Sequence, residues 1–200
     1  MKYTPLLALV ALLCIGGGCA LDRTSSDSTE PAIDRNSVLV EARENGLIMS
    51  ESEVNLMSQT SPTIDPAVRV TQDIQTYLKA NVRDWFSAAL ADVTGGSSFG
   101  IAHSQFASGI FTLVVEMGNL PEPASGYFYE GWLVERDEEP LDEPPLRLIS
   151  IGRAQKTEDG YAMVYRSGTD LTEYNFFVLT LEPDDGNSTP AEHILEGTLK

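Results

Sequence analysis

The sequence predicts an all-β fold, an antiparallel β-sandwich of about eight strands preceded by one amphipathic helix and an N-terminal tether. Three observations predict it. Beyond Trp85 apolar residues recur with a period near two rather than 3.6. Breaks rich in Gly, Pro, Asp and Asn interrupt that pattern at spacings typical of an all-β domain. Only one earlier segment, "SPTIDPAVRVTQDIQTYLKAN", carries a clear helical period.

The strands are expected at 84–93, 99–105, 109–118, 127–135, 146–154, 161–166, 174–182 and 192–199. They are separated by "TGGSS", "FASG", "LPEPASG", "DEEPLDEPP", "TEDG", "SGTDLTE" and "PDDGNSTP", each with residues that turn the chain for a mechanical reason. In "GIFTLVVEM" the residues Phe111, Leu113, Val115 and Met117 share one face and Thr112 and Glu116 the other. The pattern fits an immunoglobulin- or cupredoxin-like sandwich over 84–200, or a partly open barrel.

The helix is expected within 64–82. Asp65 is placed to cap it, Pro66 suits its first position, and Val70, Ile74, Tyr77 and Leu78 form one apolar face before a stop at Asn81. Ahead of it, 19–63 reads as a disordered tether, with one short helix signalled by the capping-box pair Ser50 and Glu53.

Residues 1–18 have the order of an export signal: Lys2, an apolar core of roughly 12 residues too short to span a bilayer, then small residues. The ending "LLCIGGGC" resembles a bacterial lipobox. That resemblance implies that Cys19 becomes diacylated and starts the mature chain, although Gly16 stands where the lipobox usually has Leu. Several acyl chains would hold the protein stably on a bilayer. Ala20 rather than Asp after the cysteine favours the outer membrane. With Cys14 removed and Cys19 acylated no thiol remains, which excludes disulfides, Cys-ligated zinc, Fe–S clusters and a Cys nucleophile. Thirteen basic against 30 acidic residues, a net charge of −17, exclude a nucleic-acid groove and leave a covalent group as the route to a membrane.

The runs "LPEPASGYFYEGWLVE" and "FFVLTLEPDDGNSTPAEHILEG" resemble the extracytoplasmic C-terminal domain of anti-sigma-K factors and the stand-alone envelope lipoproteins built on it. The matching residues are Tyr129, Trp132 to Val134, Val178 to Pro183, Gly186, Pro190 and Ile194 to Gly197. The resemblance implies the fold and the location. It does not imply anti-sigma activity, which needs a cytoplasmic helical domain and a membrane-spanning helix that this sequence does not have. "ALADVTGG…GIA…GIFTLVVE" is also loosely similar to the small all-β domain first described in chordin, which implies only a β-sandwich.

Among chemistry-bearing residues Glu130 stands out, since alternation puts it on the apolar face of Phe128, Trp132 and Val134. An unpaired carboxylate there would cost several kcal/mol. Arg147, Arg153 and His193 are its candidate partners, so Glu130, Trp132 and His193 form either a buried polar group or part of a binding pocket; a general acid is the remaining alternative. "GSSFG" matches G-x-S-x-G, and Ser98, Asp170 and His193 follow hydrolase chain order, but that motif needs a strand before it and a helix after it. His103 and His193 without a cysteine cannot make a blue-copper site. Asp184, Asp185 and Asn187 could offer oxygens to calcium but lack EF-hand spacing. "DEEPLDE" reads as a charged loop that discourages edge pairing. The expected function is a membrane-anchored extracytoplasmic binding or sensing module with no catalytic residue, metal or cofactor. Its partners would be the bilayer through Cys19 and an envelope protein or small ligand. A structural or assembly lipoprotein is the alternative, and a small hydrolase or metal carrier a remote one. An aromatic patch at Tyr127, Tyr129 and Trp132 would favour binding.

Overall fold

A computed structural model describes residues 34–65, 74–136 and 146–200. The expected signal peptide, Cys19, the start of the tether, the helix over 66–73 and the "DEEPLDE" loop lie outside the described residues. Period-two alternation produces β1 (Phe86–Asp92), β2 (Phe99–Ala107), β3 (Ile110–Gly118), β4 (Tyr127–Glu135), β5 (Arg147–Arg153), β6 (Gln155–Lys156), β7 (Tyr161–Ser167), β8 (Phe176–Pro183) and β9 (Glu192–Thr198). Eight of these match the expected strands to within two residues, and the fold is all-β and antiparallel.

The layering differs from a two-sheet sandwich. All nine described strands belong to one sheet in the order β5-β4-β8-β9-β1-β2-β3-β7-β6. Its two outermost members are parts of one stretch, because only Ala154 separates β5 from β6. Residues 147–156 therefore pair with β4 at one margin and with β7 at the other, and the sheet nearly closes as a barrel. Inward and outward alternation is the same in both architectures, so periodicity does not distinguish them. The bend does. Gly152 has φ +93°, the β4–β5 register slips between Gly131 and Trp132, and the Ala154 amide donates to Tyr129 O at 2.9 Å.

Leu113, Val115, Tyr129, Leu133, Met163, Tyr165, Phe177, Leu179 and Leu195 fill the interior. Tyr129 meets Tyr161 edge-on, with ring centres 5.2 Å apart. Between Tyr129 and Leu133 the inward position of β4 is Gly131, where a Cβ would come within 2.7 Å of Met163. A side chain there would have to displace the side-chain ends of Met163 and Ile151.

Two outer faces are covered as well. Strands β4 and β8 are buried on both sides over Gly131–Val134 and Phe176–Thr180, so alternation disappears there into continuous apolar runs. The cover is Met49 in the link that follows α1 (Arg35–Glu44), together with α2 (Glu51–Met57). Met49 and Met57 pack on Trp132, Val134, Leu148, Phe176 and Val178. This corrects the disordered tether expected up to residue 63: from 34 onward the segment is ordered, because the outer face of β4 and β8 is too apolar to meet water. The Ser50–Glu53 capping box is present. On another face α3 (Ile74–Leu78), the last turn of the expected helix, sets Ile74, Tyr77 and Leu78 against Val114, Ala162 and Val164. Asp65, expected as that helix's cap, accepts from Tyr165 Oη at 2.8 Å and from Thr169 Oγ1 at 3.3 Å. No helix among the described residues is long and apolar enough to cross a membrane.

One cation fastens α2 to the barrel. Arg136, just past β4, donates from Nε to Glu53 Oε1 at 2.6 Å, from Nη2 to Glu53 Oε2 at 3.0 Å and from Nη1 to Gly46 O at 2.7 Å. Its guanidinium lies 4.9 Å from the centre of the Phe176 ring, and the Asn175 side chain brackets its backbone with bonds of 3.2 and 3.0 Å. Burial pushes the Glu53 carboxyl up, but bonds from Arg136 and Ser50 outweigh it and hold the group below its ordinary 4.5.

Arg136→Met leaves Glu53 buried without its cation and is expected to cost about 3–5 kcal/mol, read as a fall in the urea midpoint. The double variant Glu53→Leu with Arg136→Met is expected to recover much of that loss; a midpoint unchanged by Arg136→Met would disprove the clamp.

Candidate functional site

The outer face of β4, β8 and β9 gathers the polar residues that the sequence singles out. Glu130, Thr180 and His193 are ladder neighbours across these three strands. Trp132 is buried and donates from Nε1 to Thr180 Oγ1 at 2.8 Å, which satisfies the indole under α2.

Glu130 does not find the partner expected for it. It is half-buried, and its carboxylate accepts from Ser150 Oγ rather than from Arg147, Arg153 or His193. The slip between Gly131 and Trp132 explains the exchange, because it skips Ile151 and sets Ser150 beside Trp132 on the same face. Arg153 is opposite Glu130 in the ladder, yet its guanidinium lies 3.6 Å from the centre of the Phe128 ring and bonds Asp184 at 2.7 Å. Arg147 bonds Glu135. Burial, reinforced by the nearby Glu182, lifts the Glu130 carboxyl above its ordinary 4.5, against the opposing pull of the Ser150 bond and Arg153.

His193 is buried, and its Nδ1 lies 2.7 Å from Glu196 Oε1. The other oxygen of Glu196 accepts the Met49 amide at 2.6 Å, a bond that ties the α1–α2 segment directly to β9. Residues 193 and 196 would normally point to opposite faces of a strand. The β8–β9 register slips between Leu179 and Thr180, bypassing Ile194 and bringing both onto one side. Among the described residues Nε2 of His193 has no hydrogen-bond partner, and it is closed off from bulk water. Such a buried polar atom calls for an explanation.

A cavity of about 400 Å³ adjoins it. One wall is Arg43, Met49 and Val54 from the α1–α2 segment, and the other is Val93, Ala191 and His193 from the barrel. The more exposed Glu51, Asn55 and Glu192 stand around these walls. Arg43 is half-buried in the last turn of α1 and has no ion-pair partner among the described residues. Neither Arg43 nor Glu196 was a sequence candidate; Glu196 shares a side with His193 only through the strand slip, and Arg43 reaches the cavity from α1.

The other candidates are dispersed. Ser98 Oγ donates to Asn119 O at 3.2 Å, Asp170 caps its own turn through Thr172 at 3.1 Å, and His193 is held by Glu196, so the structure does not assemble them as a triad. His103 on β2 is separated from His193 on β9 by β1, and burial depresses its pKa against the opposing effect of Glu116. Asp185 accepts the Asn187 amide at 2.8 Å and Asp184 is taken by Arg153. Among the described residues no three metal-binding side chains cluster. The aromatic patch does not form: Tyr129 points inward and donates to Pro121 O at 3.0 Å, Trp132 points outward under α2, and Tyr127 is half exposed. A larger groove of about 1130 Å³ beside α3 is lined by exposed Phe99 and Ile101 as well as by polar side chains such as Gln75, Lys156 and Glu158, and Lys156 is already paired with Glu122 at 2.7 Å. The smaller cavity is lined by His193, whose buried Nε2 is unsatisfied among the described residues.

No family model matches the chain, and no curated protein or solved structure does.

Because the folded state holds the Glu130 proton to a higher pH than the unfolded chain does, stability falls as pH rises from 4.5 toward the raised value. Glu130→Gln is therefore expected to raise the melting temperature at about pH 7 and to match the parent at about pH 3.5, where both chains are neutral at this position. A variant less stable at neutral pH would mean that the carboxylate has a stabilising partner.

Proposed function

We propose that this chain is a lipid-anchored binding or sensing module of the bacterial cell envelope, without catalytic activity, built like the extracytoplasmic domain of anti-sigma-K factors. The observation that carries the binding part is the unpartnered Nε2 of buried His193 at a cavity walled by the α1–α2 segment and the barrel. His193 lines that cavity at 6% residue exposure, where its buried Nε2 has no partner among the described residues. The non-catalytic part is supported by the separation of Ser98, Asp170 and His193. The anchoring part is supported by the sequence alone: Lys2, the apolar run and the small residues before Cys19. In this reading the acyl chains hold the domain at the membrane, and its cavity meets small molecules in the envelope space.

The anchoring is tested by fractionation of cells that carry the full-length gene. The parent is expected in the membrane pellet and the detergent phase, and Cys19→Ser in the soluble fraction. Equal partition of the two into the aqueous phase would overturn the anchor.

A further inference from the structure

An apolar strip lies on the outer face of β1, β2, β3 and β7 beside α3, and strand register fixes its order. One row across the strands reads Ala89, Ile101, Glu116, Ala162 and, on β6, Gln155. The row beside it reads Ala91, Phe99 and Gly118. Glycine at 118 lets the Phe99 ring lie across β3, since a Cβ there would stand 2.6 Å from it. Ala89, Ala91, Phe99 and Ile101 are exposed, whereas Val114 and Val164 in the row on the other side are covered by α3. Between α3 and the turn at 157–160 this strip becomes the floor of the groove of about 1130 Å³. Its charge is of one sign. Glu116 stands in the floor between Ile101 and Ala162, and Glu158 and Asp159 stand on the turn. All three are exposed and form no ion pair or side-chain hydrogen bond among the described residues. Lys156 on the same lining is neutralised by Glu122 at 2.7 Å.

We infer that this groove docks a short basic segment of another protein, one in which Lys or Arg side chains are interspersed with apolar ones. The apolar side chains rest on Phe99, Ile101 and Leu78, and the cations meet Glu116, Glu158 and Asp159. Carboxylates divided between floor and turn are matched by several cations on one chain rather than by a single small one. The exposed aromatic and aliphatic floor selects against a bare polycation, which would leave it in water. The volume also exceeds the roughly 300–1,000 Å³ of a small-molecule pocket. A second copy of this chain is a poor occupant, because it brings the same net charge of −17 to the contact. The groove shares no lining residue with the His193 cavity, so this inference stands or falls apart from the function proposed above.

The test is an NMR titration of the full chain in detergent with three short end-blocked peptides: alternating lysine and leucine, alternating lysine and serine, and alternating glutamate and leucine. Each is corrected for its partition into protein-free micelles. The lysine–leucine peptide is expected to move the Ile101 methyl and Gly118 amide resonances and to bind at least ~10-fold more tightly than either of the others. The triple variant Glu116→Gln, Glu158→Gln, Asp159→Asn changes only exposed side chains and is expected to weaken that peptide by ~10-fold or more. Ile101→Ser, also at an exposed position, is expected to do the same. A lysine–serine peptide that binds as tightly would reduce the effect to attraction by an acidic surface, and a glutamate–leucine peptide that does so would remove the role of charge; either overturns the inference. So would full affinity in the triple variant, or no movement at Ile101 and Gly118. Movement of those two resonances with protein concentration alone would make a second copy the occupant and overturn it as well.

Discussion

The bidentate pair between Arg136 and Glu53 is the interaction on which the rest of this domain depends. It sits where β4 ends, is backed by the Phe176 ring, and is completed by the Gly46 carbonyl and the Ser50 amide. Two charges so deeply withdrawn from water are a weak source of net stability, because their desolvation offsets most of their attraction. Their role is positional. They fix α2 over Trp132 and Val178, and they thereby set the wall that faces His193. Without that wall the cavity is an open patch on β9, and the Met49 amide no longer reaches Glu196.

The barrel makes a matching demand. Closing one sheet on itself removes the free margins that a sandwich of short strands would expose, and the continuous stretch 147–156 does this by pairing with β4 and β7 in turn. Closure also brings the side chains of Met163 and Ile151 over β4, and glycine at 131 leaves them room. The same strands then present an outer face that is apolar where α2 lies and polar where Glu130, Thr180 and His193 line up. Both helical covers answer a hydrophobic surface that the barrel creates and cannot bury itself.

Much of this was legible in the residues. Strand positions followed from alternation and turn chemistry, and the capping box at Ser50 named α2 without any tertiary information. The continuous apolar runs "GWLV" and "FFVL" also hinted that β4 and β8 are covered on both sides, which argues against a free tether before them. What alternation could not reveal were the two slips in register. One exchanges Arg153 for Ser150 beside Glu130, and the other brings His193 and Glu196 to the same side. A slip depends on how neighbouring strands meet, so it has no local signature in either strand. Arg136 was equally hidden: it follows a strand and precedes an acidic loop, and its partner lies 83 residues away.

The account's central claim is that the α1–α2 segment is docked on the barrel and forms one wall of the site. The Met49 amide reports on this directly, since its acceptor is Glu196 on β9. Native-state hydrogen exchange should find this proton protected to the same degree as the amides of Leu133 and Leu179 in the barrel. Exchange of Met49 at the rate of an open chain, with Leu133 and Leu179 still protected, would contradict it.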